Sequence, residues 1–168
     1  MKTILRCFSV AALAFSLTTQ AGTVEYPAEN PLFKIELPEG WTGSSDPDGN
    51  LDVKANDKSD FSFSIVPAPP GTEQDVKAFL PELAKTMGKE TQEFKADEIR
   101  TVTSPTGMKV MVLAAKGKME GQEMIITVAA FAPVKDKYFV IISMAEVSVD
   151  QAHDKAMGRI VNSIKAIE

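Results

Sequence analysis

Two segments in the last third of the chain, Met124-Ile125-Ile126-Thr127-Val128-Ala129-Ala130-Phe131 and Tyr138-Phe139-Val140-Ile141-Ile142-Ser143-Met144, are apolar at almost every position. Their length, and their β-branched and aromatic residues, mark them as strands. Successive side chains of a strand point to opposite faces, so a strand apolar throughout needs cover on both sides. Met108 to Lys118 is nearly as apolar at its start. Glu120-Gly121 and Pro133 to Lys137 are short connections, which join antiparallel neighbours. A sheet of this kind demands a layer above and a layer below.

The rest of the chain supplies further strands and the two covering layers. Phe33-Lys34-Ile35-Glu36-Leu37 alternates apolar with charged residues and is expected to end at Pro38-Glu39-Gly40. Leu51, Val53 and Ala55 make a second half-buried strand, and Phe61, Phe63 and Ile65 a third. Phe94 to Thr103 reads as one more. Pro67 to Gly71 breaks the ladder, and Thr72 then caps a helix over Glu73 to Met87, with Pro81 inside it and Gly88 as its stop. Ser148 and Gln151 form an S-x-x-Q cap ahead of a last helix from Val149 to about Ala166, whose buried stripe is Val149, Ala152, Ala156, Ile160 and Ile164. The expected fold is α+β: a mainly antiparallel sheet of about six to seven strands with helices on both faces, a three-layer sandwich.

The N-terminus reads differently. Lys2 and Arg6 precede an apolar run, Cys7 to Leu17, and Thr19-Gln20-Ala21 offers small residues for cleavage. That order is a secretory signal peptide over residues 1–21, with Gly22 to Asn30 as a polar lead-in and residues 22–168 as one domain. The run is shorter than the roughly 20 residues a membrane span needs, and no later segment is long and apolar enough. The expected location is periplasmic or secreted. Beyond residue 21 there are 16 basic against 23 acidic residues, no Cys and one His. These counts exclude disulfides, cysteine-zinc sites and cysteine nucleophiles. They also make nucleic acid an unfavourable partner.

Phe33-Lys34-Ile35-Glu36-Leu37-Pro38-Glu39-Gly40-Trp41, an F-x-I-x-L-P-x-G-W string after the export signal, resembles the opening of the PsbP-like superfamily. The helix after the Pro-rich loop, with Asp75, Phe79 and Leu80, and the long hairpin before a C-terminal helix fit as well. The resemblance covers roughly residues 30–167 and implies an antiparallel sheet between helices. It implies no activity and no functional residue.

Few residues invite chemistry. Asp46, Asp48, Asn50 and Asp52 place oxygen donors at alternate positions around Gly49, a candidate calcium loop. The fit to an EF-hand loop is poor, since Gly49 comes fourth instead of sixth and Asp57 stands where a Glu is needed. A Pro-Asp-Gly turn accounts for the same residues. Trp41 is a candidate ligand or interaction residue, and otherwise a core plug. His153 lies near Asp150 and Asp154, but no G-x-S-x-G accompanies it, and a surface or boundary position is expected. The seven methionines from Met87 to Met157 read as core filling over copper ligands. Glu90, Glu93, Asp97 and Glu98 form a diffuse acidic stretch. The chain is therefore expected to be a non-catalytic binding or accessory protein of the bacterial envelope, without a cofactor, whose partner is another envelope protein. A periplasmic small-molecule or calcium-binding protein is the alternative.

Overall fold

The computed structural model describes residues 18–46 and 48–167; Lys2, Arg6 and the apolar run Cys7 to Leu17 lie outside the described residues. The elements are β1 (Thr18–Tyr26), β2 (Phe33–Ser45), β3 (Leu51–Ala55), β4 (Ser62–Pro67), α1 (Glu73–Met87), β5 (Gln92–Ala96), β6 (Arg100–Thr103), β7 (Lys109–Met119), β8 (Gln122–Val134), β9 (Lys137–Glu146), α2 (Val147–Ser163) and β10 (Lys165–Ala166). Among the described residues the ten strands form one sheet in the order β1-β2-β3-β4-β9-β8-β7-β5, with β6 also on β7 and β10 on β2. Every pairing is antiparallel.

The two-faced strands sit at the centre, as their composition requires. Along β8 and β9 the residues divide by parity. Val128, Ala130 and Val140 pack with Val76, Leu80 and Ala84 of α1. Ala129, Phe131, Phe139 and Ile141 pack with Ile160 of α2 and with the inner face of β2 to β4. The helices therefore cover opposite faces, and the molecule is a three-layer sandwich. On the α2 side Phe33 meets Phe131 and Phe139 with ring centroids 5.0 Å apart, and Tyr26 at 5.6 Å.

Ten strands replace the expected six to seven for local reasons. Gly22 to Asn30 is not a lead-in: Val24 and Tyr26 are buried, and β1 runs along β2 from Thr18. Pro38-Glu39-Gly40 does not end β2. Gln20 pairs with Thr42 and Gly22 with Leu37, so Pro38 to Trp41 bulge out of the β1 pairing, with Gly40 at φ 81°, while Trp41 pairs with Ala55 of β3. Trp41 stands four positions after Leu37, an even separation, so both return to the same face and both are buried. The strand expected over Phe94 to Thr103 is split. Ala96 pairs with Ala115 and Arg100 with Val112, so β5 and β6 carry one residue more than β7 between these pairs.

α1 has its expected bounds. Thr72 and Asp75 form a reciprocal capping box, with the Thr72 N–H and hydroxyl donating to Asp75 at 2.8 and 2.7 Å. Gly88 follows the helix at φ −82°, which any residue adopts. Its need for glycine is spatial, because a Cβ there would stand 2.4 Å from the Phe94 ring. α2 departs from expectation. It begins at Val147 after Glu146, Ser148 makes no cap, and it ends at Ser163. After Ile164, Lys165 and Ala166 pair with Lys34 and Phe33. Ala152 is exposed and His153 takes its place in the buried stripe. Glu120-Gly121 makes the expected tight hairpin turn, with φ of 51° and 84°.

Candidate functional site

Sequence proximity paired His153 with Asp150 and Asp154 on its own helix and suggested a surface or boundary position. The fold places it inside. Its position on α2, one turn after Val149, turns the ring toward the end of the sheet where β3 runs into β4. There His153 is only 7% exposed. Its imidazole stacks parallel on Phe61 at 4.6 Å and stands edge-on to Trp41 at 5.8 Å. Its polar partner comes from the β3–β4 turn, 96 residues away: Nε2 lies 2.8 Å from Asp57 Oδ2. Nδ1 lies 2.7 Å from the Val149 carbonyl.

Both partners accept hydrogen bonds and neither donates. A carbonyl oxygen has no proton to give, and Asp57 is ionised. Asp57 is held down at about 2, first by the Ser59 hydroxyl and N–H and then by His153. The neutral imidazole carries one N–H and satisfies one acceptor; the imidazolium carries two and satisfies both. The geometry therefore calls for a charged ring. Burial opposes that charge, but the bonds to Val149 and Asp57 and the charges of Asp57 and Asp150 outweigh it and raise the pKa above its ordinary 6.5. Within the turn, Asp57 Oδ1 accepts the Ser59 N–H at 2.8 Å and the Ser59 hydroxyl, whose oxygen in turn accepts the Phe61 N–H at 3.2 Å. His153, Asp57 and Ser59 thus tie α2 to the sheet.

Ser, His and Asp meet here without forming a catalytic triad. A triad sets the serine on one ring nitrogen and the carboxylate on the other. Here Ser59 Oγ, at 3.4 Å, shares Nε2 with Asp57, and Nδ1 is taken by backbone. A ring that holds both its protons has no lone pair for a general base.

Trp41 is a core residue, 5% exposed, meeting Phe61 and Phe63 as well as His153. In the 46–52 loop the structure brings Asp46 and Asn50 together. Both Asp46 oxygens are occupied, Oδ1 by the Asn50 N–H and Oδ2 by the Asn50 amide, each at 2.8 Å. Those bonds lower its pKa. Asp52 lies on β3, where its Oδ1 accepts the Ser64 hydroxyl across the ladder, and Asp48 is exposed. Tyr26 closes the loop, its hydroxyl donating to the Gly49 carbonyl. Among the described residues no group of three or more His, Asp or Glu is placed to hold a metal ion. Nor is any helix among them long and apolar enough to cross a membrane.

The sequence could not have joined Asp57 to His153 by spacing. The one usable signal was chemical: a lone histidine at the spacing of a buried stripe, with a polar turn elsewhere to receive it.

No protein-family model matches the chain, and no curated protein sequence does. Solved structures are similar to it in fold. Cyanobacterial PsbP (CyanoP) from Synechocystis sp. PCC 6803 aligns with TM-score 0.61 and 10% identity, over 95% of this chain and 98% of that one. PA94, a protein of unknown function from Pseudomonas aeruginosa, aligns with TM-score 0.53 and 15% identity, over 84% and 95% of the two chains. LpqN, involved in cell envelope biogenesis of Mycobacterium tuberculosis, aligns with TM-score 0.53 and 15% identity, over 89% and 91%. The F-x-I-x-L-P-x-G-W string pointed to the same architecture, and on the structural likeness the chain has the PsbP-like fold.

Proposed function

We propose that this protein is exported and acts without catalysis, as an accessory protein of the bacterial envelope that binds another envelope protein. The observation that supports the reading is the covered sheet. With α1 on one face and α2 on the other, the apolar residues are spent on the interior, and what the molecule presents is turns, edge strands and charged helix faces. A surface hollow of about 320 Å³ between the β7–β8 turn and the start of α2 is bordered by Gln122, Glu123, Glu146, Ser148 and Gln151. Its lining is mostly polar, whereas a typical small-molecule site is lined mainly by hydrophobic and aromatic side chains. The N-terminal charge, apolar run and small-residue site support export. Cleavage after Ala21 would leave Gly22 to Tyr26 of β1 on the sheet. LpqN, similar in fold, is a protein of envelope biogenesis.

Affinity capture of the tagged protein from an envelope fraction tests this directly. Repeated recovery of one envelope protein, lost on competition with untagged protein, is expected. Recovery of no specific protein would contradict the reading and favour a small ligand.

A further inference from the structure

We propose that His153 and Asp57 form a proton-operated clasp between α2 and the β3–β4 turn, closed while the imidazole carries its second proton and released when that proton leaves. Val149 O at 2.7 Å and Asp57 Oδ2 at 2.8 Å both need a hydrogen from the ring. When the ring becomes neutral, one of its nitrogens must turn a lone pair toward an oxygen. Whichever nitrogen keeps its proton, one of the two oxygens loses its donor, and the ring loses the positive charge that holds it to the Asp57 carboxylate. The ion pair that joins the two layers is lost.

The surroundings favour a single transition. The charged group acting on the ring from α2 is Asp150, with Asp154 beside it, and from the turn Asp57; Trp41 and Phe61 carry no charge. The turn's other charges, Lys58 and Asp60, are exposed, and Asp60 is held by Lys54 at 2.8 Å. Every nearby carboxylate favours the charged ring. A folded-state pKa raised above the unfolded 6.5 contributes stability that is full below 6.5 and lost as pH rises through the folded value. Asp57, depressed to about 2, sets the acid end: its contribution is present above 3.8 and lost toward 2.

The chain has one Trp and one His, and they touch. A protonated imidazole in contact quenches indole emission more than a neutral one, so Trp41 reports on the clasp. Emission and melting temperature should be followed from pH 5 to 9 on the purified protein. The expected result is a rise in emission with its midpoint above 6.5, and a fall in Tm that begins near 6.5 and is complete once the emission has levelled off. Asp57→Asn should lower that midpoint, and His153→Gln should flatten both curves. Asp57 is 54% exposed on its side chain, so Asp57→Asn decides the matter even if His153→Gln does not fold. A wild-type midpoint at or below 6.5, a Tm that ignores the emission transition, or an Asp57→Asn midpoint equal to wild type would overturn the proposal.

Discussion

Phe33 has no exposed surface and meets three other rings, so it holds β1, β2, β8 and β9 together on the α2 side. Truncating a buried Phe removes its transfer free energy and leaves a cavity, together about 3–5 kcal/mol. Phe33→Ala should lower the urea midpoint by that amount, and a loss under 1 kcal/mol would show that the ring cluster is not tightly packed. Phe33 was legible in the sequence because alternation with Lys34 and Glu36 fixed its face. Tyr26 carried the same alternation, with Val24 against Thr23 and Glu25, but it lay beside a signal peptide and Pro27, and so read as lead-in. His153 was misplaced for another reason: helical spacing offered Asp150, whereas Asp57 becomes its partner only once β3, β4 and α2 have assembled. Asp46 belongs to the same scale. With both its oxygens on Asn50, the loop is closed by its own side chains. Millimolar calcium should leave Tm unchanged, and a rise would show that the loop opens to take an ion.

At the scale of elements, α1 is the part most fully specified by local chemistry. Its cap and its stop agreed in the sequence, and its bounds match. Thr72→Ala removes the cap and should cost about 0.5–2 kcal/mol by denaturant unfolding. Glu73 fastens the start of α1 to the sheet through Lys109, at 2.8 Å, and also meets Lys77 at 2.7 Å. Lys109, then Lys77, hold its carboxyl down at about 2. A depressed carboxyl stabilises above its unfolded pKa and loses that effect as pH falls. Glu73→Gln should therefore lower Tm at neutral pH, with the difference closing between pH 4.5 and about 2. A difference that persists at pH 2 would mean that the side chain acts through packing. The end of α2 was less legible. Residues Lys165 and Ala166 have helical neighbours and no strand pattern of their own; they form β10 because the β2 edge at Phe33 and Lys34 receives them. The Ser163 hydroxyl, accepting the Glu36 N–H at 2.8 Å, fixes the helix end against β2.

Across the whole molecule, two-faced strands require two covering layers, and parity along β8 and β9 assigns each residue to one of them. That much follows from composition, and the structure obeys it. Strand number does not follow, since bulges and edge pairings depend on neighbours distant in sequence. Most of what joins the α2 layer to the sheet is apolar: Ile160 and Ile164 have almost no exposed surface. Besides the Ser163–Glu36 bond at the helix end, the polar link is His153, a ring set between Trp41, Phe61 and a turn with an acceptor at each nitrogen. The protonation of that ring can be read directly. The Cε1–H resonance of the single histidine should be followed against pH by NMR in the folded protein. A pKa above 6.5 is predicted, and a value at or below 6.5 would contradict the assignment of a doubly donating imidazole between Val149 and Asp57.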